Sequence, residues 1–262
     1  MKLHDFQLKK TNRNKICMLT CYDYPSARIV AQSHVDCVLV GDSVAMVVHG
    51  HPSTLMATLD MMVLHTAAVA RGLSHQFIIS DLPFLCHRES QADTIHHVRA
   101  LLQAGAHAIK IEGGDADTCR TIAHLSNAGV PVMGHIGLMP QSVLKLGGYK
   151  VQGKSDAQAQ AILDQALALE AAGCFALVVE CIPSVLAQRI TESLHIPVIG
   201  IGAGIETDGQ VLVWHDMLGL QTELRPRFVK QYLLGEALCL EAMNAYAAEV
   251  HQARFPTPAH AF

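Results

Sequence analysis

Short runs of apolar, often β-branched residues recur along the chain and alternate with longer helix-like stretches. A continuous apolar run of this length is typical of a β-strand that is buried on both faces. The runs that we predict as strands cover residues 16–23, 37–43, 77–83, 108–114, 131–137, 175–181, 197–204 and 210–216. Predicted helices include residues 90–105, 156–173 and 183–194. Asp156 could cap the second of these helices, and Gly173 could end it.

Strands that alternate with helices indicate an α/β protein with a parallel sheet. Eight such strands are the number that closes a (β/α)₈ barrel, also called a TIM barrel. The alternative is an open doubly wound sheet, which usually has a glycine-rich phosphate-binding turn after its first strand. Here that position reads TCYDYPS, without a glycine, so the sequence favours the barrel.

The chain length fits one large domain that covers residues 1–262. Residues 218–262 exceed what the last helix of a barrel needs, and we interpret them as a C-terminal helical extension with a helix around residues 228–250. This extension could pack on a neighbouring subunit or lie across the base of its own barrel.

Composition and charge exclude several classes of protein. Hydrophobic residues make up 50% of the sequence and charged residues 16%, which argues against disorder. The net charge of −4 argues against nucleic acid or an anionic membrane as the main partner. The polar N-terminus has no apolar segment of signal-peptide length, and no apolar stretch is long enough to span a bilayer. We therefore expect a cytoplasmic protein.

The cysteines and histidines do not form a familiar zinc motif. The eight cysteines are scattered and include no CxxC pair, so we interpret them as small buried thiols. The HGH sequence that begins at His49 offers too few ligands for zinc.

Acidic residues follow the ends of most predicted strands. In parallel strands these ends meet at one rim, which carries the active site in this fold. The residues expected at this rim are Asp23, Asp42, Asp81, Glu112, His135, Glu180 and Asp216. A cluster of carboxylates either raises its own pKa values or binds a cation, and oxygen ligands favour Mg²⁺, Ca²⁺ or Mn²⁺ over zinc.

Each of these acids also has a structural interpretation. Asp42 could cap the next helix, and Asp81 could be a turn residue. Lys110 and Glu112 share one face of a strand and could form an ion pair inside the barrel. Glu180 could pair with an arginine such as Arg189. If all four structural interpretations were correct, four unrelated acids would have gathered at the same rim by coincidence. The functional interpretation is therefore favoured.

The glycine-rich sequence IGIGAG, which ends at Gly204, follows the seventh predicted strand. Barrels often bind phosphate at this loop. Close packing of a strand against a helix would also require small residues there, and the sequence leaves both interpretations open.

Nine segments together resemble the ketopantoate hydroxymethyltransferase family. They read CYDYPSA, VLVGDSVAMVVHGH, DLPF, IKIEGG, GHIGLMPQSV, GGYKVQGK, VVECIP, PVIGIGAG and DGQVLVWHDMLG, in that order, over residues 17–232. The resemblance implies a (β/α)₈ barrel that transfers a hydroxymethyl group from methylenetetrahydrofolate to 3-methyl-2-oxobutanoate, giving 2-dehydropantoate. The reaction would proceed through an enolate stabilised by Mg²⁺ and would belong to pantothenate and coenzyme A biosynthesis.

The resemblance also implies roles for individual residues. The metal would be bound by Asp42, Asp81 and Glu112, the last through water. The keto acid would contact Asp42, Ser43, Asp81 and Lys110, and Glu180 would be the catalytic base. His135 would be either a substrate contact or a structural histidine.

The resemblance further implies a large homo-oligomer, commonly a decamer of two pentameric rings. Two loops at the rim depart from the family pattern. Pro52 and Met56 replace an acid and a proline, and Leu85, Cys86 and His87 stand where the family usually has a small residue, a serine and a tyrosine. These changes leave the expected metal and base positions intact. The properties that they would alter are folate affinity and loop closure.

Two alternatives to the transferase remain. One is a Mg²⁺-enolate barrel enzyme of the phosphoenolpyruvate mutase and isocitrate lyase type, but the sequence has no KKCGH-like active loop of such lyases. The other is a catalytically silent barrel that serves as a binding partner. Because every expected metal acid and the expected base are present, we favour the transferase.

Overall fold

The structure is a computed structural model that describes residues 1–221 and 226–262. Eight parallel strands form a closed barrel in the order of the sequence, which confirms the predicted (β/α)₈ class. The strands are β1 (Ile16–Thr20), β2 (Cys37–Val40), β3 (Phe77–Asp81), β4 (Ala108–Glu112), β5 (Val132–Gly137), β6 (Ala176–Glu180), β7 (Val198–Ile201) and β8 (Gly209–Leu212). Nearly every residue of β2 to β7 is buried, as their apolar runs predict.

Helices follow most of the strands. They are α1 (Leu3–Thr11), α2 (Tyr24–Val30), α3 (Val44–Val47), α4 (Leu59–Gly72), α5 (Gln91–Gln103), α6 (Ala116–Asn127), α7 (Val143–Leu146), α8 (Asp156–Ala171), α9 (Ser184–Ser193), α10 (Trp214–Met217) and α11 (Gly235–His251). The cap of α8 is Ser155 rather than Asp156. The Ser155 hydroxyl accepts a hydrogen bond from the backbone N–H of Gln158, and the Gln158 side chain accepts one from the backbone N–H of Ser155.

Two acids that were predicted at strand ends lie elsewhere. Asp23 is the N-cap of α2, where its carboxylate accepts hydrogen bonds from the backbone N–H and the hydroxyl of Ser26. Asp216 lies in α10 and not on β8, which ends at Leu212. The prediction was wrong for both residues because the apolar run continues past the last strand residue into a cap or a helix.

An aromatic cluster lies at the amino-terminal end of the barrel. Phe6 of α1 packs edge-to-face on Phe77 and Phe175, with ring centroids 5.3 and 5.1 Å away. Phe77 begins β3 and Phe175 directly precedes β6, so α1 covers the end opposite to the one where the acids lie.

The glycine-rich loop after β7 is closely packed. A side chain at Gly204 would place its Cβ 2.6 Å from the Cβ of Ser184, at the start of α9. Gly204 also has a φ of +87°, which favours glycine. These observations support the packing interpretation of IGIGAG.

The chain divides into two compact units, Met1–Leu212 and Val213–Phe262. The first unit contains the whole barrel. The second contains α10 and α11, and α11 begins later than the predicted residue 228. Residues 222–225 of the predicted extension lie outside the described residues, and the single-domain organisation stays a prediction. Across the described ranges, every helix is too short or too polar to cross a membrane.

We expect Phe6→Ala to lower the free energy of unfolding by about 3–5 kcal/mol, since it empties a buried aromatic site. The control is Leu8→Ala on the same helix, because Leu8 is 51% exposed whereas Phe6 is 1% exposed. Urea denaturation of both variants measures the difference. Equal losses in the two variants would contradict the role of Phe6 in covering the barrel.

We expect Asp216→Asn to stabilise the protein at neutral and higher pH. Burial raises the pKa of Asp216 to about 6, so the folded form retains a proton between the ordinary pKa and pH 6 that the unfolded chain has lost. Ionising this buried carboxyl group costs folding free energy. The loss of stability therefore develops as the pH rises and is complete above pH 6. Because the side chain is partly solvated, the expected gain from Asn is about 1 kcal/mol at pH 8 and less at pH 5. Urea denaturation at both pH values measures this gain in stability. The control is Asp156→Asn at an exposed position, which should give no such gain. A gain that grows towards low pH would refute the raised pKa of Asp216.

Candidate active site

The strand register brings charged residues together at the carboxyl-terminal rim of the barrel. Asp81 of β3 lies opposite Lys110 of β4, and Glu112 of β4 lies opposite His135 of β5. Glu180, the last residue of β6, lies opposite Gly137 of β5. These are the strand ends at which active sites occur in this fold.

Lys110 is the central cation of this rim. Its Nζ lies 3.0 Å from Asp81 Oδ1 and 4.0 Å from Glu112 Oε1. It also lies 3.2 Å from His135 Nδ1. The predicted ion pair of Lys110 and Glu112 therefore exists, but the closer partner of Lys110 is Asp81. Lys110 is almost fully buried, so its charge needs the carboxylates of Asp81 and Glu112.

His135 bridges two glutamates. Its Nδ1 lies 3.3 Å from Glu112 Oε1, and its Nε2 lies 3.2 Å from Glu180 Oε2. Glu180 thus pairs with His135, whereas Arg189 donates a hydrogen bond to Gln160. The Glu180 side chain is 15% exposed and that of His135 is 3% exposed, so Glu180 lies at the accessible edge of the buried cluster.

Burial and mutual repulsion control the protonation of the two aspartates. Burial, followed by the charges of Asp81 and Glu112, raises the pKa of Asp42 well above its ordinary value. Burial also raises the pKa of Asp81, although Lys110 opposes this shift. A buried carboxylate pair of this kind is stabilised by any additional positive charge.

The neighbouring charges favour the charged forms of Lys110, His135 and Glu112. Burial would lower the pKa of Lys110, but Asp81, Glu112 and Asp42 together raise it above its ordinary value. Burial and Lys110 disfavour the protonated form of His135, yet its contacts with Glu112 and Glu180 raise its pKa to about 9. Burial opposes ionisation of Glu112, but His135 and Lys110 lower its pKa.

Gln141 is a site residue that sequence reasoning missed. Its side-chain Nε2 donates hydrogen bonds to Asp42 Oδ2 at 2.8 Å and to the carbonyl of Leu82 at 3.1 Å. Its backbone N–H donates to Glu112 Oε2 at 3.0 Å. Since the Asp42 carboxylate contacts Gln141, and α3 has Ser43 as its N-cap, Asp42 is not a helix cap. Gln141 lies within the segment GHIGLMPQSV, which was the available signal.

Tyr22 is a second missed residue. Its hydroxyl lies 2.8 Å from the hydroxyl of Ser43, so it orients a side chain that the resemblance assigns to keto-acid binding. Tyr22 is part of the segment CYDYPSA, and its contact with Ser43 spans two strands, which a local pattern does not reveal.

The donor set fits a hard divalent ion in part. In their ionised forms, Asp42, Asp81, Glu112 and Glu180 carry two more negative charges than Lys110 and His135 supply in positive ones. Asp81 Oδ1 is buried without a hydrogen bond of good geometry. Among the described residues, however, the three predicted metal acids do not bring three ligand oxygens within 4.8 Å of one another. This arrangement fits an ion that two acids bind directly and the third reaches through water.

The two atypical loops have different environments. Met56, in the 3₁₀ segment Thr54–Met56, is half exposed, as is Leu85, which has a φ of +63°. His87 is buried, and neither ring nitrogen has a hydrogen-bond partner among the described residues. Burial, together with Arg88, lowers the pKa of His87 to about 4, so the ring is neutral at physiological pH.

We expect Lys110→Met to lower the free energy of unfolding by about 3–5 kcal/mol, because Asp81 and Glu112 would lose their buried cation. Urea denaturation at pH 7 with a chelator present measures this loss without a contribution from metal. The matched control is Lys145→Met, since Lys145 is exposed and its replacement should change stability by less than about 0.5 kcal/mol. A similarly small effect at Lys110 would show that the carboxylates do not depend on it.

Comparison with known proteins separates fold from family. Solved structures that share the fold include a phosphonopyruvate hydrolase in complex with oxalate and Mg²⁺, at 12% identity and a TM-score of 0.64, covering 98% of this chain and 93% of that chain. A phosphoenolpyruvate phosphomutase from Streptomyces platensis subsp. rosaceus has 13% identity and a TM-score of 0.62, covering 98% and 100% of the two chains. At this identity the likeness shows the fold alone.

Sequence relatives are much more similar. A 3-methyl-2-oxobutanoate hydroxymethyltransferase of Legionella pneumophila (strain Philadelphia 1) is 65% identical over 262 residues, covering 100% of both chains. An enzyme of the same name from Coxiella burnetii (strain CbuG_Q212) is 49% identical over 256 residues, covering 98% of this chain and 96% of its own. The family model described as ketopantoate hydroxymethyltransferase matches residues 1–258. Because these matches cover the whole barrel and nearly all of the residues that follow it, the chain belongs to the ketopantoate hydroxymethyltransferase family.

Proposed function

We propose that this enzyme transfers a hydroxymethyl group from methylenetetrahydrofolate to 3-methyl-2-oxobutanoate and forms 2-dehydropantoate, for pantothenate and coenzyme A biosynthesis. Family membership supports the reaction class. The observation that carries the proposal is the 3.2 Å approach of His135 Nε2 to Glu180 Oε2, at the accessible edge of a buried carboxylate cluster. A carboxylate held in this way can accept a proton from a carbon acid beside a cation.

Magnesium is the cofactor that we propose for this cluster. Asp42 and Asp81 would hold the ion, and Glu112 would contact it through water. When bound, the ion would supply Lewis-acid stabilisation of the negative charge that develops on the keto oxygen. Gln141 fixes the orientation of Asp42 and Glu112 through its two hydrogen bonds to them, so the acids are positioned before any ion arrives.

Binding of the keto acid follows from the remaining charges. The Ser43 hydroxyl, oriented by Tyr22, would contact the substrate carboxylate. Lys110, whose pKa is raised by the neighbouring acids, would balance the negative charge of the bound keto acid. Asp42 and Asp81 would contact the substrate through the shared metal ion.

Glu180 is the catalytic base in this proposal. It removes the hydrogen at C3 of 3-methyl-2-oxobutanoate, and His135 holds one of its oxygens so that the other can face the substrate. C3 then forms a bond to the one-carbon unit of the folate, and a water molecule supplies the hydroxyl oxygen as the two carbon–nitrogen bonds to the folate break. The proton from C3 and one proton of the water pass to the two folate nitrogens. His135 is a positioning residue here, since its contacts are to Glu112 and Glu180.

We also propose that the protein is a homo-oligomer in the cytoplasm, with a decamer of two pentameric rings as the arrangement that the family resemblance implies. Helix α11 supports an oligomer, because Leu238, Leu240, Met243 and Tyr246 are each more than half exposed along it. All eight cysteines are free thiols, in keeping with a reducing compartment.

Proton exchange in heavy water tests the proposed chemistry. The protein is incubated with 3-methyl-2-oxobutanoate and Mg²⁺ without folate, and loss of the C3 hydrogen signal is followed by NMR. Exchange should require Mg²⁺ and stop on chelation, and Glu180→Gln should slow it by about 10²-fold or more. Asp81→Asn should remove the metal-dependent exchange.

The matched control is Glu192→Gln, which changes an exposed glutamate of α9 and should exchange at the wild-type rate. A Glu180→Gln variant as fast as wild type would refute Glu180 as the base. If the wild type shows no exchange with substrate bound, a folate analogue that cannot transfer carbon is added. Continued absence of exchange in that complex would refute the proposed reaction.

A further inference from the structure

A mixed cluster of cysteine, glutamate and histidine lies outside the carboxylate site. The sulfur of Cys86, a carboxylate oxygen of Glu89 and a ring nitrogen of His97 lie within 4.8 Å of one another. Cys86 and Glu89 belong to the turns between β3 and α5, and His97 lies in the second turn of α5. We propose that these three side chains bind a divalent transition-metal ion of the zinc type.

The donor set is the first argument for this ion. A thiolate, an imidazole and a carboxylate are ligands of Zn²⁺, whereas Mg²⁺ prefers oxygen ligands alone. Three protein ligands leave the fourth tetrahedral position to water. Glu89 is exposed and Cys86 is partly exposed, so an ion can enter from solvent. On binding, the Cys86 thiol releases one proton to solvent and becomes the thiolate ligand.

The second argument is the hydrogen bonding of His97. Its Nδ1 lies 3.3 Å from the backbone carbonyl of Cys86, so the N–H at this position donates to that oxygen. Such a bond fixes the tautomer in which Nε2 carries the free lone pair, as is usual for histidines that bind metals. The same carbonyl accepts a hydrogen bond from the Thr94 hydroxyl at 3.2 Å. The side chain of His97 and the backbone of Cys86 are therefore hydrogen-bonded to each other before any ion binds.

The position of this cluster also separates it from the carboxylate site. Cys86 stands where the family resemblance expects a serine, so the site is a feature of this chain beyond the family pattern. The ion would join the turn that follows Asp81 to α5. Leu85, beside the first ligand, already has a left-handed φ of +63°, and metal binding would hold this turn in place.

Cobalt provides the test, because a cysteine thiolate bound to Co²⁺ gives an intense near-ultraviolet charge-transfer band that oxygen ligands do not give. Co²⁺ is titrated into the full-length protein in the presence of excess Mg²⁺, which occupies the carboxylate cluster. We expect the band to saturate at one Co²⁺ per chain and to disappear when Zn²⁺ is added. Cys86→Ser should abolish the band, and His97→Gln should weaken Co²⁺ binding by at least about tenfold.

The matched control is Cys119→Ser, since Cys119 is also a partly exposed free thiol next to a strand-to-helix turn and should leave the band unchanged. Far-ultraviolet circular dichroism checks that each variant is folded. Absence of the band in the wild type, or an undiminished band in folded Cys86→Ser, would overturn the proposal. The readout needs neither Glu180 nor the keto acid, so its failure is distinct from failure of the proposed transferase reaction.

Discussion

The rim of the barrel depends on the ion pair between Lys110 and Asp81. A lysine buried to this extent would lose its proton without acids beside it, and buried acids would gain protons without the lysine. The strand register of β3 and β4 places the two residues opposite each other, so the barrel itself enforces the contact. His135 and the two glutamates extend the same alternation of charges across β5 and β6.

This alternation explains why several acids can share a site with little solvent. Each carboxylate except that of Asp42 lies within 4 Å of a cationic nitrogen. Asp42 instead accepts a neutral hydrogen bond from Gln141, and its pKa is the one most clearly raised by burial and by its neighbours' charges. It is therefore the group that would gain most from a metal ion, which agrees with its proposed role.

Much of the fold could be predicted because buried parallel strands leave a strong local pattern, as the run that ends at Glu180 shows. The acids that end strands could be predicted for the same reason. Asp23 and Asp216 were misplaced because a helix cap or a short helix can follow a strand without interrupting the apolar run. The segment GHIGLMPQSV contains Gln141, but its contact with Asp42 could not be predicted, since Asp42 lies 99 residues away and no local pattern records that contact.

Gln141 has a further consequence for how this rim responds to movement. One residue reaches the ends of three strand regions: it bonds Asp42 after β2, the carbonyl of Leu82 after β3 and Glu112 at the end of β4. It lies in the segment Pro140–Ser142, directly before α7 and the loop that follows it. Any displacement of that loop which shifts Gln141 changes two proposed metal acids at once. Loop position and the geometry of the proposed metal acids are thus linked through one residue, whose side chain bonds Asp42 and whose backbone N–H bonds Glu112.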